Sequence, residues 1–459
     1  MPLILPGNVA SATASTGYTV ANSCRFNDGD SADLSLTLGS SLGTRSLYTF
    51  SCWIKRGVLG TTQNLFDGTD GTYPTTFSIS SADKLVFYDT GENATFTSDA
   101  VLRDSAAWYH LVCRVDTSQA SNENRVKFYI NGVQATTTQT NTLTQDGNIS
   151  WGKEVAHYVG GRANYFDGYM AEVVWITASS LAPTSFGEFD EDSPTIWKPI
   201  DVSELTFGTH GFYLDFEASD NLGNDANGGT DWTETNLAAT DQASDSPTNN
   251  FATFNPLVSI TDAPTFSEGN CKIAIGSAGQ FGACSTVGLT AGKWYAEFVK
   301  SVTSDNDMCV GITSDLDDAR SDNHAGVISN SYSYRETGTS ITGNSESSYG
   351  DSYDTDDVIG VALNLDDNEL TFYKDNVVQN SGTALSITAV ASTVTGAYFL
   401  TASCSSSAQS GTWDANFGGC SAFTLASAAN DENGYGNFEF APPAGFLAIC
   451  SKNLGSDGG

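Results

Sequence analysis

Two short stretches of this 459-residue chain are built alike: VKFYINGV at 126–133 and LTFYKDNV at 370–377. In each, apolar and polar residues alternate at period two, so one face of a strand can be buried while the other meets solvent. Each then reaches a polar two-residue turn, Asn131-Gly132 or Asp375-Asn376, whose residues tolerate the positive φ of a tight primed hairpin. The copies stand about 240 residues apart, too far for a solenoid or propeller period, so they predict two separate sandwich-like bodies.

The length allows two or three domains, each with its own core; three are expected, the third small. Helix formers such as Lys, Glu and Leu are sparse, and Ser, Thr, Gly, Asn and Asp fill the gaps between short apolar runs, which is an all-β composition. No helical periodicity persists beyond about two turns, so little helix is expected.

The formal net charge of −35 argues against nucleic acid and anionic membranes, since binding phosphates needs clustered Lys and Arg. No basic residue lies between Lys198 and Lys272, while acidic residues continue from Asp201 to Glu268. No run approaches the roughly 18 apolar residues of a membrane span, so no membrane insertion is expected. The opening MPLILPGNVASATAS lacks the basic n-region of a secretory signal. The nine cysteines are widely spaced without a CxxC pair, which favours neither a zinc site nor a disulfide framework. Cys52 and Cys113 lie inside apolar strands, where a thiol acts as a small hydrophobe, and folding in a reducing cytoplasm fits this usage.

Residues 1–23 lack alternation and read as an extended arm that docks on another protein. Strand patterns begin at Cys24 with RFNDGDSADLSL and YTFSCWIKRG, and continue with LFDGTDGTYPTTFSI, KLVFYD, WYHLVCRVD, VKFYINGV, HYVGG and FDGYMAEVVWI. Over 24–205 these resemble the concanavalin A-like, laminin-G-type lectin fold, particularly its form in tailed-phage structural proteins. One departure is Ala171, where such proteins often carry an acidic residue. GFYLDFEAS is expected to add a strand. The stretch 206–257, rich in Asn, Asp, Gly and Thr, reads as an acidic connector. From 258 to 420 the order GKWYAEF, DDVIGVALNLDDNELTFYKDN and WDANFG resembles a SPRY domain, a bent sandwich that usually binds protein partners. Residues 421–459, with APPAGFLAI, are similar to a closing element of phage proteins and are expected to fold back; Pro442-Pro443 stops any strand there. The expected fold class is therefore all-β: two β-sandwich (jelly-roll) domains, concanavalin A-like then SPRY-like, with an extended arm and a short C-terminal element.

Catalytic patterns are weak. Gly39-Ser40-Ser41-Leu42-Gly43 satisfies GxSxG but lacks the strand-to-helix setting of a nucleophile elbow. His110, His157, His210 and His324 show no metal-binding spacing, and His110 reads as a structural histidine within a strand. Glu188-Phe189-Asp190-Glu191-Asp192 is the nearest approach to a glycosidase carboxylate pair, yet its composition is that of a solvated loop.

Binding patterns are better represented. Aromatic faces with Asp and Asn partners suit sugars, and two such clusters are candidates: Asn64, Asp67, Asp70 and Tyr73, and then Tyr165 and Asp167. No cofactor is required, and calcium is the one candidate metal. Tyr332, Tyr334, Tyr349 and Tyr353 are the candidate partner-binding loops of the second module. Together with the resemblance these features imply a virion structural protein and not an enzyme. It would be a tail fibre or other surface appendage, made in the host cytoplasm and released by lysis. Its arm would dock on other virion proteins, its loops would grip host-surface glycan or protein, and homo-oligomerisation, on fibre precedent a trimer, would add avidity. A head-decoration protein and a polysaccharide depolymerase are the competing readings.

Overall fold

The computed structural model describes residues 17–43, 45–258, 263–276, 282–303, 307–316, 323–327, 330–405 and 410–457. Residues 1–16 of the expected arm lie outside them. The chain divides into two compact bodies, with the boundary between Thr248 and Asn249.

The first body is a sandwich of two eight-stranded sheets. One sheet runs in the order Val133–Gln134, Val126–Ile130, Trp108–Asp116, Leu47–Arg56, Gly168–Thr177, Ser23–Phe26 and Gln242–Ala243, and Phe212–Leu214 also pairs with Gly168–Thr177. The other runs Thr137–Thr140, Ala94–Val101, Lys84–Asp89, Thr75–Ile79, Gln63–Thr69, Ala156–Val159, Asp33–Thr37 and Thr233–Thr235. Strand alternation builds the core directly. Leu34, Val159, Phe66, Phe77, Phe87 and Phe96 stand opposite one another across six neighbouring strands, all fully buried. Removing each such aromatic or branched side chain from water contributes about 1.5–3 kcal/mol.

The stretch read as a connector is part of these bodies. Phe212–Leu214 and Gln242–Ala243 extend one sheet, Thr233–Thr235 edges the other, and Phe212, Leu214, Phe216, Leu222 and Trp232 enter the core. Asp245 accepts from Lys55 Nζ at 2.6 Å and from Trp108 Nε1 at 2.9 Å, with Lys55 and Asp245 each about 1% exposed. Arg25 pairs with Asp241 at 3.0 Å. From Asn249 the chain belongs to the second body, where Phe251, Ala252 and Phe254 are buried. Isolated large side chains separated by Asx-rich turns close this sandwich, so no alternating run announces them.

The last residues of the arm also pack on the first body. Val20 N–H donates to Thr248 Oγ1, and the Tyr18 hydroxyl lies within hydrogen-bonding distance of the Glu172 carboxyl and Tyr213. Glu172 sits in a β-bulge at φ 50°, and burial raises its pKa to about 8 against the hydrogen bonds from both tyrosines.

The second body pairs a nine-stranded sheet with a six-stranded one. The larger contains Lys272–Ile275, Gly411–Asn416, Lys293–Thr303, Val358–Asn364 and Glu369–Lys374 in that order; the smaller centres on Phe399–Cys404, Met308–Thr313 and Ser331–Arg335. Trp294, Phe298, Trp413 and Phe417 fill the space between them. The C-terminal stretch folds back as expected. Leu447–Ala448 pairs in parallel with Trp294 and Tyr295, and buried Glu297 accepts the N–H groups of Glu439 and Phe440 at 2.8 Å each. A short helix, Ser451–Asp457, ends the described chain. All nine cysteines are buried, and none forms a disulfide among the described residues. No helix among the described residues is long and apolar enough to cross a membrane.

Candidate functional site

The core-forming row of the second sheet determines what its opposite face presents. One residue along from each core side chain, the strands place Ser35, Tyr158, Asp67, Thr76, Tyr88 and Thr95 opposite one another on the outer face. All but Asp67 are half-buried. Tyr88 and Tyr158 are separated by three strand spacings, about 14 Å, with Thr76 and Asp67 between them. The result is a polar sheet face bearing two aromatic rings and a line of hydroxyls, a combination suited to sugar C–H surfaces and their hydroxyl groups.

Asn64 and Asp67 belong to this face but lie beneath its surface. Asn64 Nδ2 donates to Asp67 Oδ2 at 2.8 Å, and the two are 7% and 0% exposed. Burial raises the Asp67 pKa, opposed by the Asn64 hydrogen bond and the Arg162 charge. Neither can be a primary surface contact; they position the neighbouring groups. Asn64 N–H also donates to Asn164 O at 2.8 Å, which ties the loop carrying Arg162 and half-buried Tyr165 to this strand.

The other predicted residues divide differently. Asp70 binds Lys153 Nζ at 2.5 Å and the N–H groups of Thr72 and Tyr73, and these partners, Lys153 first, hold its carboxyl well below the ordinary range. Tyr73, 53% exposed, stands on that turn, past the end of the Asn64–Asp67 strand. Asp167 is fully buried and accepts Val58 N–H at 3.1 Å. A Cβ on Gly57 would come within 1.7 Å of Asp167 Oδ1, so this carboxylate is a structural fastener of the 57–58 turn.

The carboxylates of the first cluster do not converge on one cation. Asp67 and Asp70 are about 10 Å apart along an extended strand and are committed to Asn64 and Lys153. Among the described residues no three His, Cys, Asp or Glu side chains converge as a metal site would need.

The four tyrosines proposed as partner-binding loops are core residues. Tyr332 and Tyr334 lie in the strand Ser331–Arg335, and Tyr332, Tyr334, Tyr349 and Tyr353 are 6%, 0%, 5% and 4% exposed. Tyr334 packs against Tyr349, Tyr353 and Phe372 with ring centroids 5.1–5.4 Å apart. Their hydroxyls are satisfied internally: Tyr353 donates to Met308 O at 3.0 Å, and Tyr349 accepts Phe372 N–H at 3.3 Å. A tyrosine whose hydroxyl finds an internal partner is a large core residue.

The patterns that mimic catalysis are structural. Ser41 Oγ accepts Glu154 N–H at 2.8 Å, and Ser40 Oγ meets His210 Nε2 at 3.1 Å on an exposed turn where no carboxylate bonds His210 among the described residues. Gly187–Phe189 is a short strand paired with Trp197–Pro199, and Glu188 and Asp190 both bind Lys198, at 3.3 and 3.4 Å. His110 is the structural histidine its strand setting predicted. Its Nδ1 accepts from Trp197 Nε1 at 2.9 Å, its Nε2 meets Ser51 Oγ at 2.8 Å, and burial lowers its pKa to about 3.

Tyr88, Tyr158, Thr76 and Arg162 were not singled out from the sequence. The signal was present in KLVFYD and HYVGG, where Phe87 and Val159 face inward and so send Tyr88 and Tyr158 outward.

The comparisons with known proteins follow the two bodies. Residues 28–181 match the model of the concanavalin A-like lectin/glucanases superfamily, and residues 293–413 match that of the SPRY domain. None of the curated proteins compared is a match. Among solved structures, stonustoxin is 18% identical over 36% of this chain and 26% of its own, with a TM-score of 0.28. A protein of Bacteroides ovatus ATCC 8483 proposed to bind carbohydrate is 16% identical over 48% of this chain and 60% of its own, at 0.33. The SPRY domain of human HERC1 is 16% identical over 37% of this chain and 99% of its own, at 0.27. The chain thus spans about a quarter of stonustoxin and three-fifths of the Bacteroides protein.

Proposed function

From a chain that contains a concanavalin A-like domain followed by a SPRY domain, we propose a non-enzymatic adhesin whose first body holds glycan on its outer sheet face. The observation that carries this reading is the half-buried pair of rings Tyr158 and Tyr88 on one sheet face, with the Thr76 hydroxyl between them above the buried Asp67. The rings supply apolar faces, the threonine hydroxyl supplies hydrogen bonds, and the buried Asn64–Asp67 pair stiffens the floor between them. The finer reading is a tail fibre or surface appendage of a tailed phage. It rests on the resemblance of the sequence to phage structural proteins, with the arm of residues 1–23 as the docking segment and homo-oligomers, trimers on fibre precedent, multiplying weak sites.

The test is binding of the whole chain to an array of bacterial surface glycans. Tyr88→Ala and Tyr158→Ala are each expected to weaken binding at least tenfold while leaving the thermal midpoint within a few degrees. Retention of full affinity by both variants would remove the sheet face as the site. Release of new reducing ends from a bound polysaccharide would replace the adhesin with a depolymerase. Labelled antibody on intact particles separates tail from head placement.

A further inference from the structure

On the other sheet of the first body, Arg114 and Lys127 stand directly opposite each other on neighbouring strands. Like charges in such a cross-strand pair repel. Basic residues number 19 against 54 acidic ones in this chain, yet neither member of this pair has an ion-pair partner among the described residues. Together with Asp116, Gln119, Asn124 and Ser180 they line a cavity of about 110 Å³. That is several times the roughly 30 Å³ a water occupies in the liquid, enough for a carboxylate or sulfate group.

The walls are held in place by contacts that ion-pair neither cation, and with Asp116 also in the lining one net positive charge remains. Arg114 Nε donates to Ser180 Oγ at 3.2 Å, Nη2 to Ser180 O at 2.8 Å and Nη1 to the Tyr129 hydroxyl at 3.1 Å. All three acceptors are neutral. A guanidinium carries five N–H bonds, so one on each Nη remains for a ligand. Lys127 Nζ has no hydrogen bond among the described residues. The loop forming the far wall is fixed by Arg125, which donates to Gln119 O at 2.8 Å and Ala120 O at 2.9 Å. Asp116, the one carboxylate present, accepts Ser118 N–H, Ser118 Oγ–H and Gln119 Nε2–H within that loop. The rest of the acidic surface is screened over about 8 Å at physiological salt, so it does not cancel the local field of the two cations.

We propose that this cavity binds the oxyanion of an acidic saccharide, either a uronate carboxylate or a sulfate ester. Arg114 and Lys127 hold the charged oxygens, and the neutral amides of Asn124 and Gln119 take sugar hydroxyls. The site is on the opposite sheet from Tyr88 and Tyr158 and does not rest on their role.

Calorimetric titration of the full chain with glucuronate, glucose 6-sulfate, inorganic sulfate and glucose tests it. The two acidic sugars are expected to bind with millimolar affinity that falls as salt rises from 25 to 150 mM, while glucose gives no signal. Lys127→Ala is expected to weaken them about tenfold, Arg114→Lys severalfold through loss of the guanidinium fork, and Asp116→Asn to strengthen them. Tyr158→Ala is expected to leave them unchanged, which separates this site from the sheet face. Circular dichroism melts confirm that each variant is folded. Unchanged affinity in both Lys127→Ala and Arg114→Lys, or glucose binding as well as glucose 6-sulfate in the Tyr158→Ala chain, would overturn the anion site. Inorganic sulfate binding as tightly as the sugar sulfate would overturn its assignment to a saccharide.

Discussion

The hairpin at Asn131-Gly132 and the hairpin at Asp375-Asn376 have the same backbone and different tolerances. Both turns place two successive residues at positive φ: 48° and 77° in the first, 46° and 64° in the second. Both use the first turn residue to fasten the neighbouring strand. Asn131 Oδ1 accepts His110 N–H at 2.8 Å, and Asp375 Oδ1 accepts Val358 N–H at 3.0 Å. The difference lies above the turn. A Cβ at Gly132 would come within 2.4 Å of the Trp197 ring, whereas position 376 already carries an asparagine side chain. Local chemistry selects the turn, and tertiary cover decides which residue can occupy it.

The bodies differ likewise in how each encloses a buried cation. Lys55 meets Asp245, 190 residues away, while Lys300 meets Glu336, 36 residues away, and each lysine is at most 2% exposed. Removing one partner of such a buried pair costs about 3–5 kcal/mol because the remaining charge loses its principal counter-charge, although Lys300 keeps Asp354 Oδ1 at 3.3 Å. In urea unfolding, Asp245→Ala is expected to destabilise the first body by that amount and to open residues 239–248 to protease. Glu336→Ala is expected to destabilise the second body similarly without exposing 239–248. Equal protection of that segment in both variants would break the contrast.

The hairpins give the next effect. Gly132→Ala combines the left-handed backbone penalty with the approach to Trp197, a loss of about 3 kcal/mol measurable by denaturant titration. Then comes pH. Glu172 has a folded pKa of about 8 and Glu297 of about 7, both raised chiefly by burial from an ordinary 4.5. Because the raised folded pKa favours proton binding in the native state, the stability contributed is complete below 4.5 and is lost as pH rises through the folded value. The first body should therefore lose stability up to about pH 8 and the second up to about pH 7, each on the order of 1–2 kcal/mol after discounting for relaxation. Glu172→Gln should flatten the first slope in a melting series from pH 5 to 9, and Glu297→Gln the second. The smallest effect is Asn376→Gly, expected to change stability by less than about 0.5 kcal/mol. A loss as large as that of Gly132→Ala would show that the second turn is covered too.

Much of the fold was legible because strand content and turn type are short-range properties. VKFYINGV and LTFYKDNV form the expected hairpins, GFYLDFEAS supplies the strand Phe212–Leu214, and the C-terminal stretch folds back on the second body. The candidate site was less legible. Asn64 and Asp67 were found as a pair, but their burial was not, because it depends on the strand Ala156–Val159 and the 160–166 loop, about a hundred residues away. SYSYR puts Tyr332 and Tyr334 on one face of a strand, but nothing local says whether that face meets water or an opposing sheet.

The amino-acid sequence alone determined two all-β bodies and their hairpin turns, since alternation and positive φ are properties of adjacent residues. Only the tertiary structure decided that 206–248 completes the first sandwich, that the second body's tyrosines are core, and that Tyr88 and Tyr158 share one outer sheet face while Arg114 and Lys127 stand opposite each other on the other sheet. Burial is set by what the distant chain lays over a residue: Asp245 covering Lys55, Trp197 covering Gly132. The free energy of burying a charge or a ring depends on that cover and not on the neighbours in sequence.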